Sequence, residues 1–332
     1  MHHETTREQS TDEYGNGALS TDARRFGLTT SAMRIGGGTV VVRHGRRTES
    51  DTATILLHGA AGAWSTWTPL LSAADASEPA RPVRLADLII LDLPGWGESS
   101  LPANPDTLTI ESLAATVADV ARALGYRRWV VLGHSMGGVV ALHLAASEPE
   151  ATVAVGLVSP TTFAVRDSVR HPITGSGAVP AFAGLLLVMR ALAGLGLSGR
   201  GLLALVGRLH LLRAVTAPLF AHPARVHPSV IEALTQEIRP AQFARAAARL
   251  GGYDAAGIWG GVRCPVEVGI GDADAFVGEH DADLLRACLD TVRISTVPGT
   301  GHFAHVERPE AVLRLLHGVL SIGDRTVTAH AA

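Results

Sequence analysis

Short apolar runs recur along this chain, and each ends abruptly on glycine: "TILLHG" (54–59), "LIILDLPGWG" (88–97) and "VVLGHSMGG" (130–138). A strand with one wet face alternates apolar and polar residues. Unbroken runs of this length therefore read as strands buried on both faces. Between them lie stretches with helical spacing. "TIESLAATVADVARALG" (109–125) sets apolar residues three and four apart, with acidic residues early and Gly125 as the stop. "MGGVVALHLAASEP" (136–149) reads as helix and "ATVAVGLVSP" (151–160) as strand. Such alternation predicts an α/β fold, a mostly parallel, doubly wound sheet covered on both faces, because parallel neighbours need helical crossovers. Ahead of it, "TVVVRHG" (39–45) follows the turn "GGG" (36–38) and pairs as a hairpin with the segment around Met33.

The rhythm stops at about residue 161 and resumes at about 257. "CPVEVGIGDAD" (264–274), "EHDADLLRACL" (279–289), "VRISTVPGTGH" (292–302) and "PEAVLRLLHGVLS" (309–321) then read strand, helix, strand, helix. One sheet interrupted by an insertion fits this order better than two domains in series. We expect a flexible polar tail over residues 1–28, a core over 29–160 and 258–323, and a helical cap over 161–257. The cap holds "AVPAFAGLLLVMRALAGLGL" (178–197), apolar enough to suggest a membrane span. Its central Arg190 would cost about 2.5–3.5 kcal/mol in a bilayer, so a helix burying one face over a pocket is the expectation. "GLGLSG" (194–199) matches a dinucleotide-binding pattern, but no strand precedes it, so no cofactor is read from it.

Composition removes several function classes. All 28 basic residues are arginine. With no lysine, a Schiff-base mechanism and a Walker A phosphate loop are both excluded. A net charge of -3 gives no reason to expect nucleic acid as partner. Cys264 and Cys288 have no C-x-x-C spacing and read as reduced thiols in a cytoplasmic protein. The opening "MHHETTREQSTDEYGNG" has no apolar core of a secretory signal. The histidines of the insertion (His171, His210, His222 and His227) are scattered, with no metal-ligand spacing and no metal expected. No oligomeric state follows from the sequence.

"GHSMG" (133–137) fits G-x-S-x-G in the context that motif needs, an apolar strand before and a helix after. A sharp strand-to-helix turn strains its central residue and leaves no room for flanking side chains. Its product is the Ser135 hydroxyl, presented at the carboxyl edge of the sheet, where open α/β folds bind ligands. Serine needs a base, and the base needs a carboxylate to hold its tautomer. Downstream strand ends supply both: Asp274 in "GIGDADAF" and His302 in "PGTGHFAHVERPE".

With "LLHGAAGAW" (56–64), "LDLPGWGESS" (91–100), "GHSMGG" (133–138), "GIGDAD" (269–274) and "GHFAHVERPE" (301–310), the chain resembles the α/β-hydrolase fold superfamily over roughly residues 30–320. The resemblance implies Asp274 as the acid, because the family's acid closes G-x-x-D, with Asp272 as the fallback. It implies His302 as the base, following Gly301, and leaves His305 the weaker candidate. It also implies an oxyanion hole from the backbone N–H groups of Met136 and Ala60. Pro94, Gly95 and Gly97 shape a turn near the pocket, while Trp96 fits pocket lining and packing equally.

The activity implied is that of a cofactor-free serine esterase, thioesterase or lactonase acting on a hydrophobic small molecule. Serine at the elbow departs from epoxide hydrolases and haloalkane dehalogenases, which use aspartate there. Carbon–carbon bond hydrolases of ring-cleavage products and perhydrolase-type enzymes are the alternatives, although His134 stands where the former carry asparagine. A non-catalytic ligand receptor on the same fold is the reading from a different class. Leu185–Leu187, Met189 and Leu202–Leu205 give the cap its apolar character. Arg190 reads as a structural arginine with its head in water, a substrate carboxylate being its alternative partner.

Overall fold

The computed structural model describes Tyr14 and residues 17–77, 85–196, 213 and 216–328. An eight-stranded sheet runs through the molecule in the order β1-β2-β4-β3-β5-β6-β7-β8. The strands are β1 (Leu28–Ile35), β2 (Gly38–Gly45), β3 (Thr52–Leu57), β4 (Leu88–Leu91), β5 (Arg128–His134), β6 (Thr152–Val158), β7 (Val266–Gly271) and β8 (Val292–Val297). β1 and β2 form the expected hairpin, with Met33 opposite Val40, and β2 pairs antiparallel with β4. Every other pairing is parallel. The carboxyl ends of β3 to β8 therefore emerge at one edge.

The continuous apolar runs follow from this architecture. Ile55, Leu57, Ile89, Leu91, Val131 and Val155 point to one side. Their neighbours Leu56, Leu88, Ile90, Val130, Leu132 and Ala154 point to the other. The period of two is intact, but both faces are dry. On the first face lie α2 (Ile110–Ala123) and α3 (Met136–Ser147). α2 begins with a reciprocal cap between Thr109 and Ser112, and Gly125, at φ 92, reverses the chain after it. α3 is buried at every position from Met136 to Ala145, as a helix apolar all round must be. α1 (Thr68–Asp75) packs on the opposite face.

Between β6 and β7 the described residues form only helices: α4 (Phe163–Arg170), α5 (Pro180–Gly194), α6 (Pro228–Gln236), α7 (Pro240–Gly252), α8 (Ala255–Trp259) and short 3-10 turns. Leu202–Leu205, His210 and the end of "GLGLSG" lie outside the described residues. Among the described residues no helix is long and apolar enough to cross a membrane. The chain ends through α9 (Asp281–Cys288), α10 (Ala304–Glu307), α11 (Pro309–Leu315) and α12 (His317–Thr328).

The N-terminal expectation needs correction. Its polar composition predicts a flexible tail through residue 28, yet Tyr14, Ala23, Phe26 and Leu28 are all buried. Ala23–Phe26 forms a 3-10 turn whose first N–H groups are capped by the Asp22 side chain. A few well-spaced apolar residues anchor a segment that is polar on average. Residues 1–13, 15 and 16 lie outside the described residues.

Candidate active site

β5 ends on His134, and the next residue turns the chain into α3 with φ 53 and ψ −122. A non-glycine residue there stores about 1–3 kcal/mol of strain. Ser135 tolerates it because its surroundings leave no alternative. A Cβ on Gly133 would lie 2.5 Å from the Gly137 carbonyl oxygen, and one on Gly137 would collide with the Leu57 and His58 carbonyls. The two glycines let α3 approach β3 and β5, and the elbow follows from that approach.

The parallel sheet brings the three sequence-predicted side chains together. Ser135 Oγ lies 2.9 Å from His302 Nε2, and His302 Nδ1 lies 3.1 Å from both oxygens of Asp274. Oδ1 of Asp274 also accepts the Phe276 N–H at 2.8 Å. Burial raises the Asp274 pKa. The nearby His302 and these hydrogen bonds outweigh burial and hold the carboxyl below its usual value. Asp272, the fallback, turns away: it is exposed, and Oδ1 accepts the Thr300 N–H at 3.1 Å.

The remaining histidines take other places. His134 Nε2–H donates to the His302 carbonyl at 2.9 Å, so the neighbour of the serine supports the loop that carries His302. Burial, then His305 and His302, push His134 well below the usual histidine range. His305 is fully buried against Trp67 and His134, and neither ring nitrogen has a hydrogen-bond partner.

Ala60 and Met136 line the same cavity as Ser135 and His302. Their loop is fixed from below. His58 donates from Nδ1 to the Gly59 carbonyl, while its Nε2 accepts the Leu93 N–H at 2.9 Å. Asp92 accepts the Trp64 N–H at 2.9 Å and the Glu98 N–H at 3.0 Å, and pairs with the buried Arg43. Sequence reasoning missed Arg43 and Asp92, although Gly97 was a signal: a Cβ there would run into the Asp92 carboxylate.

The cavity measures about 330 Å³, and among the described residues no Arg, Asp or Glu lines it. Val165, Phe182, Leu185, Met189 and Phe243 of the insertion face Ile110 and Val139 of the core across it. Leu185 and Met189 were expected; Leu187 is 70% exposed and Leu186 packs into the core. Arg190 is exposed and lines no part of the cavity, and the buried Trp96 borders a separate, smaller cleft.

Residues 54–315 match the alpha/beta hydrolase family. The chain belongs to that family. It is 30% identical to epoxide hydrolase 4 of Mus musculus over 121 residues, 36% of this chain and 31% of that protein. It thus spans about a third of that relative's length. RutD of Escherichia coli O6:H1, whose name assigns carbamate hydrolysis provisionally, is 26% identical over 287 residues, 81% of this chain and 88% of RutD. Among solved structures, a bacterial membrane phospholipase A superposes with a TM-score of 0.66 at 21% identity, covering 91% of this chain and 89% of that one. That last likeness is one of fold.

Proposed function

We propose that this protein is a serine hydrolase that cleaves uncharged, hydrophobic esters through an acyl-enzyme on Ser135. The observation that carries the reading is the unbroken line from Ser135 Oγ to His302 Nε2 at 2.9 Å and from His302 Nδ1 to Asp274 at 3.1 Å, opening into an apolar cavity. His302 takes the hydroxyl proton from Nε2's side as Oγ attacks the substrate carbonyl, and Asp274 stabilises the resulting imidazolium. The Ala60 and Met136 N–H groups hold the oxyanion, each donor of this type being worth about 3–4 kcal/mol to the transition state. The same proton then passes to the departing alkoxide. Water, deprotonated by His302, attacks the acyl-enzyme and releases the acid and free Ser135.

Serine at the elbow separates this chain from the aspartate-dependent epoxide chemistry of its fold relatives. The described lining carries no Arg, which favours a neutral acyl group, since a buried carboxylate would find no guanidinium partner among those residues. A series of 4-nitrophenyl esters tests the substrate class. Each methylene buried contributes about 0.8 kcal/mol, so kcat/KM should rise about fourfold per carbon until the cavity is filled. A clear preference for acetate over octanoate would refute the apolar-pocket reading.

A further inference from the structure

The segment ahead of β1 reaches the far side of the His302 loop. Glu307, the last residue of α10, is 1% exposed. Its carboxylate accepts the Gly301 N–H at 2.6 Å, the Ala221 N–H at 2.8 Å and the phenol of Tyr14. These three donors come from three parts of the chain: the loop that carries His302, the return of the insertion into the core, and the N-terminal segment. The loop and the return are pressed together as well. His302 N–H donates to the Leu219 carbonyl at 2.8 Å, and a Cβ on Gly301 would lie 2.8 Å from Leu219 O and Phe220 Cα.

Tyr14 fastens the junction from outside. Its oxygen accepts the His222 N–H at 3.3 Å, its ring meets the His222 ring edge-on at 5.1 Å, and the Arg225 guanidinium sits 4.6 Å over its face. Further along, the Leu19 N–H donates to Ser229 Oγ at 2.9 Å and the Ser20 N–H to Thr68 Oγ1 at 3.1 Å. We propose that the described part of the N-terminal segment, Tyr14 and residues 17–27, is a strap in which Tyr14, acting through Glu307, positions His302 against Ser135. The inference rests on the reading of His302 as the base.

The physical argument is one of donor supply. A buried carboxylate is tolerated only while hydrogen bonds replace its water. Burial, then Glu307 itself, push the Tyr14 phenol well above its usual range, so it stays a donor. Without it the carboxylate turns toward its remaining donors or takes up a proton, and either response moves Gly301, the residue before His302. Misplacing a catalytic group by a fraction of an ångström costs rate with no loss of binding.

The test measures 4-nitrophenyl butyrate hydrolysis and the rate of Ser135 phosphonylation by a fluorophosphonate, well below each variant's unfolding midpoint. Tyr14→Phe keeps the ring and its contacts with His222 and Arg225. It should lower kcat and phosphonylation together by about tenfold with KM unchanged. Glu307→Gln should lower both at least as far, and adding Tyr14→Phe to it should change nothing more. Wild-type kcat and phosphonylation in Tyr14→Phe, whatever its unfolding midpoint, would overturn the strap, as would additive losses in the double variant. Failure of the wild-type chain to be phosphonylated at Ser135 would instead overturn the catalytic reading beneath it.

Discussion

Asp274→Asn offers the sharpest probe of how the site is wired. Both carboxylate oxygens lie 3.1 Å from His302 Nδ1, and Oδ1 alone also accepts the Phe276 N–H at 2.8 Å. The side chain is 0% exposed, so no water can substitute for either contact. In the asparagine variant the amide oxygen must stay at the Oδ1 position, because an NH2 there would oppose the Phe276 N–H. The amide NH2 then takes the Oδ2 place, 3.1 Å from His302 Nδ1, where it opposes a proton on that nitrogen and favours the tautomer that accepts there. The ring proton moves to Nε2, which donates to Ser135 Oγ and can no longer take its proton. The charge that stabilises the imidazolium is lost at the same time. A reversal of this kind lowers kcat by about 10⁴-fold, about 5.4 kcal/mol of transition-state stabilisation. The shape of the cavity is unchanged, so KM should hold. The assay is 4-nitrophenyl butyrate hydrolysis at pH 8, with Asp272→Asn as control. Asp272 contacts only the Thr300 N–H among these groups and should tolerate the change. If Asp274→Asn kept a tenth or more of wild-type kcat, or if Asp272→Asn were the crippled variant, the assignment of the acid would be refuted.

Gly59→Ala should be nearly as damaging. The new Cβ would sit 2.7 Å from Ser135 Cβ and 3.1 Å from His134 Nδ1. Displacing the Ala60 N–H should lower kcat by about 10²–10³, and an active, well-folded variant would contradict the oxyanion assignment. Burial, then His302, push His305 from 6.5 down to about 3. Between those pH values the unfolded chain binds a proton that the folded chain refuses, so stability falls as pH drops through this window. Denaturant titrations should show a loss of about 2 kcal/mol from this residue between pH 8 and pH 5. His305→Phe should remove this residue's share of that slope, leaving the shares of the buried His134 and His58, and an unchanged slope would refute a neutral buried imidazole. Met189→Trp fills part of the cavity and should move the optimum of the ester series to shorter acyl chains; an unmoved optimum would place the acyl group elsewhere.

How far the sequence could be read depended on whether a feature was local. The elbow at Ser135 was readable because its causes are adjacent: an apolar strand, two crowded glycines and the helix that follows. His302 was readable because Gly301 precedes it, and the structure supplies the reason, the close approach of Leu219 and Phe220 to that glycine. Asp272 and Asp274 could be separated only by pattern, since both follow β7. What separates them is the direction of each side chain, toward Thr300 or toward His302. The supports were hidden for another reason. Tyr14 and Glu307 stand 293 residues apart, and a lone tyrosine in a polar stretch carries no periodicity to flag it. Arg43 lies on a strand and Asp92 in the loop beyond β4, and nothing local shows that they meet. The boundary of the N-terminal segment failed for the same cause, because average polarity masks a few anchoring side chains.

The central claim is that Ser135 is a nucleophile activated by His302. Incubation of the folded protein with a fluorophosphonate, followed by peptide mass mapping, tests it most directly. The account predicts one phosphonyl group per chain, on Ser135, abolished by Ser135→Ala together with ester hydrolysis. An unlabelled Ser135 in folded protein, or hydrolysis that survives Ser135→Ala, would contradict it.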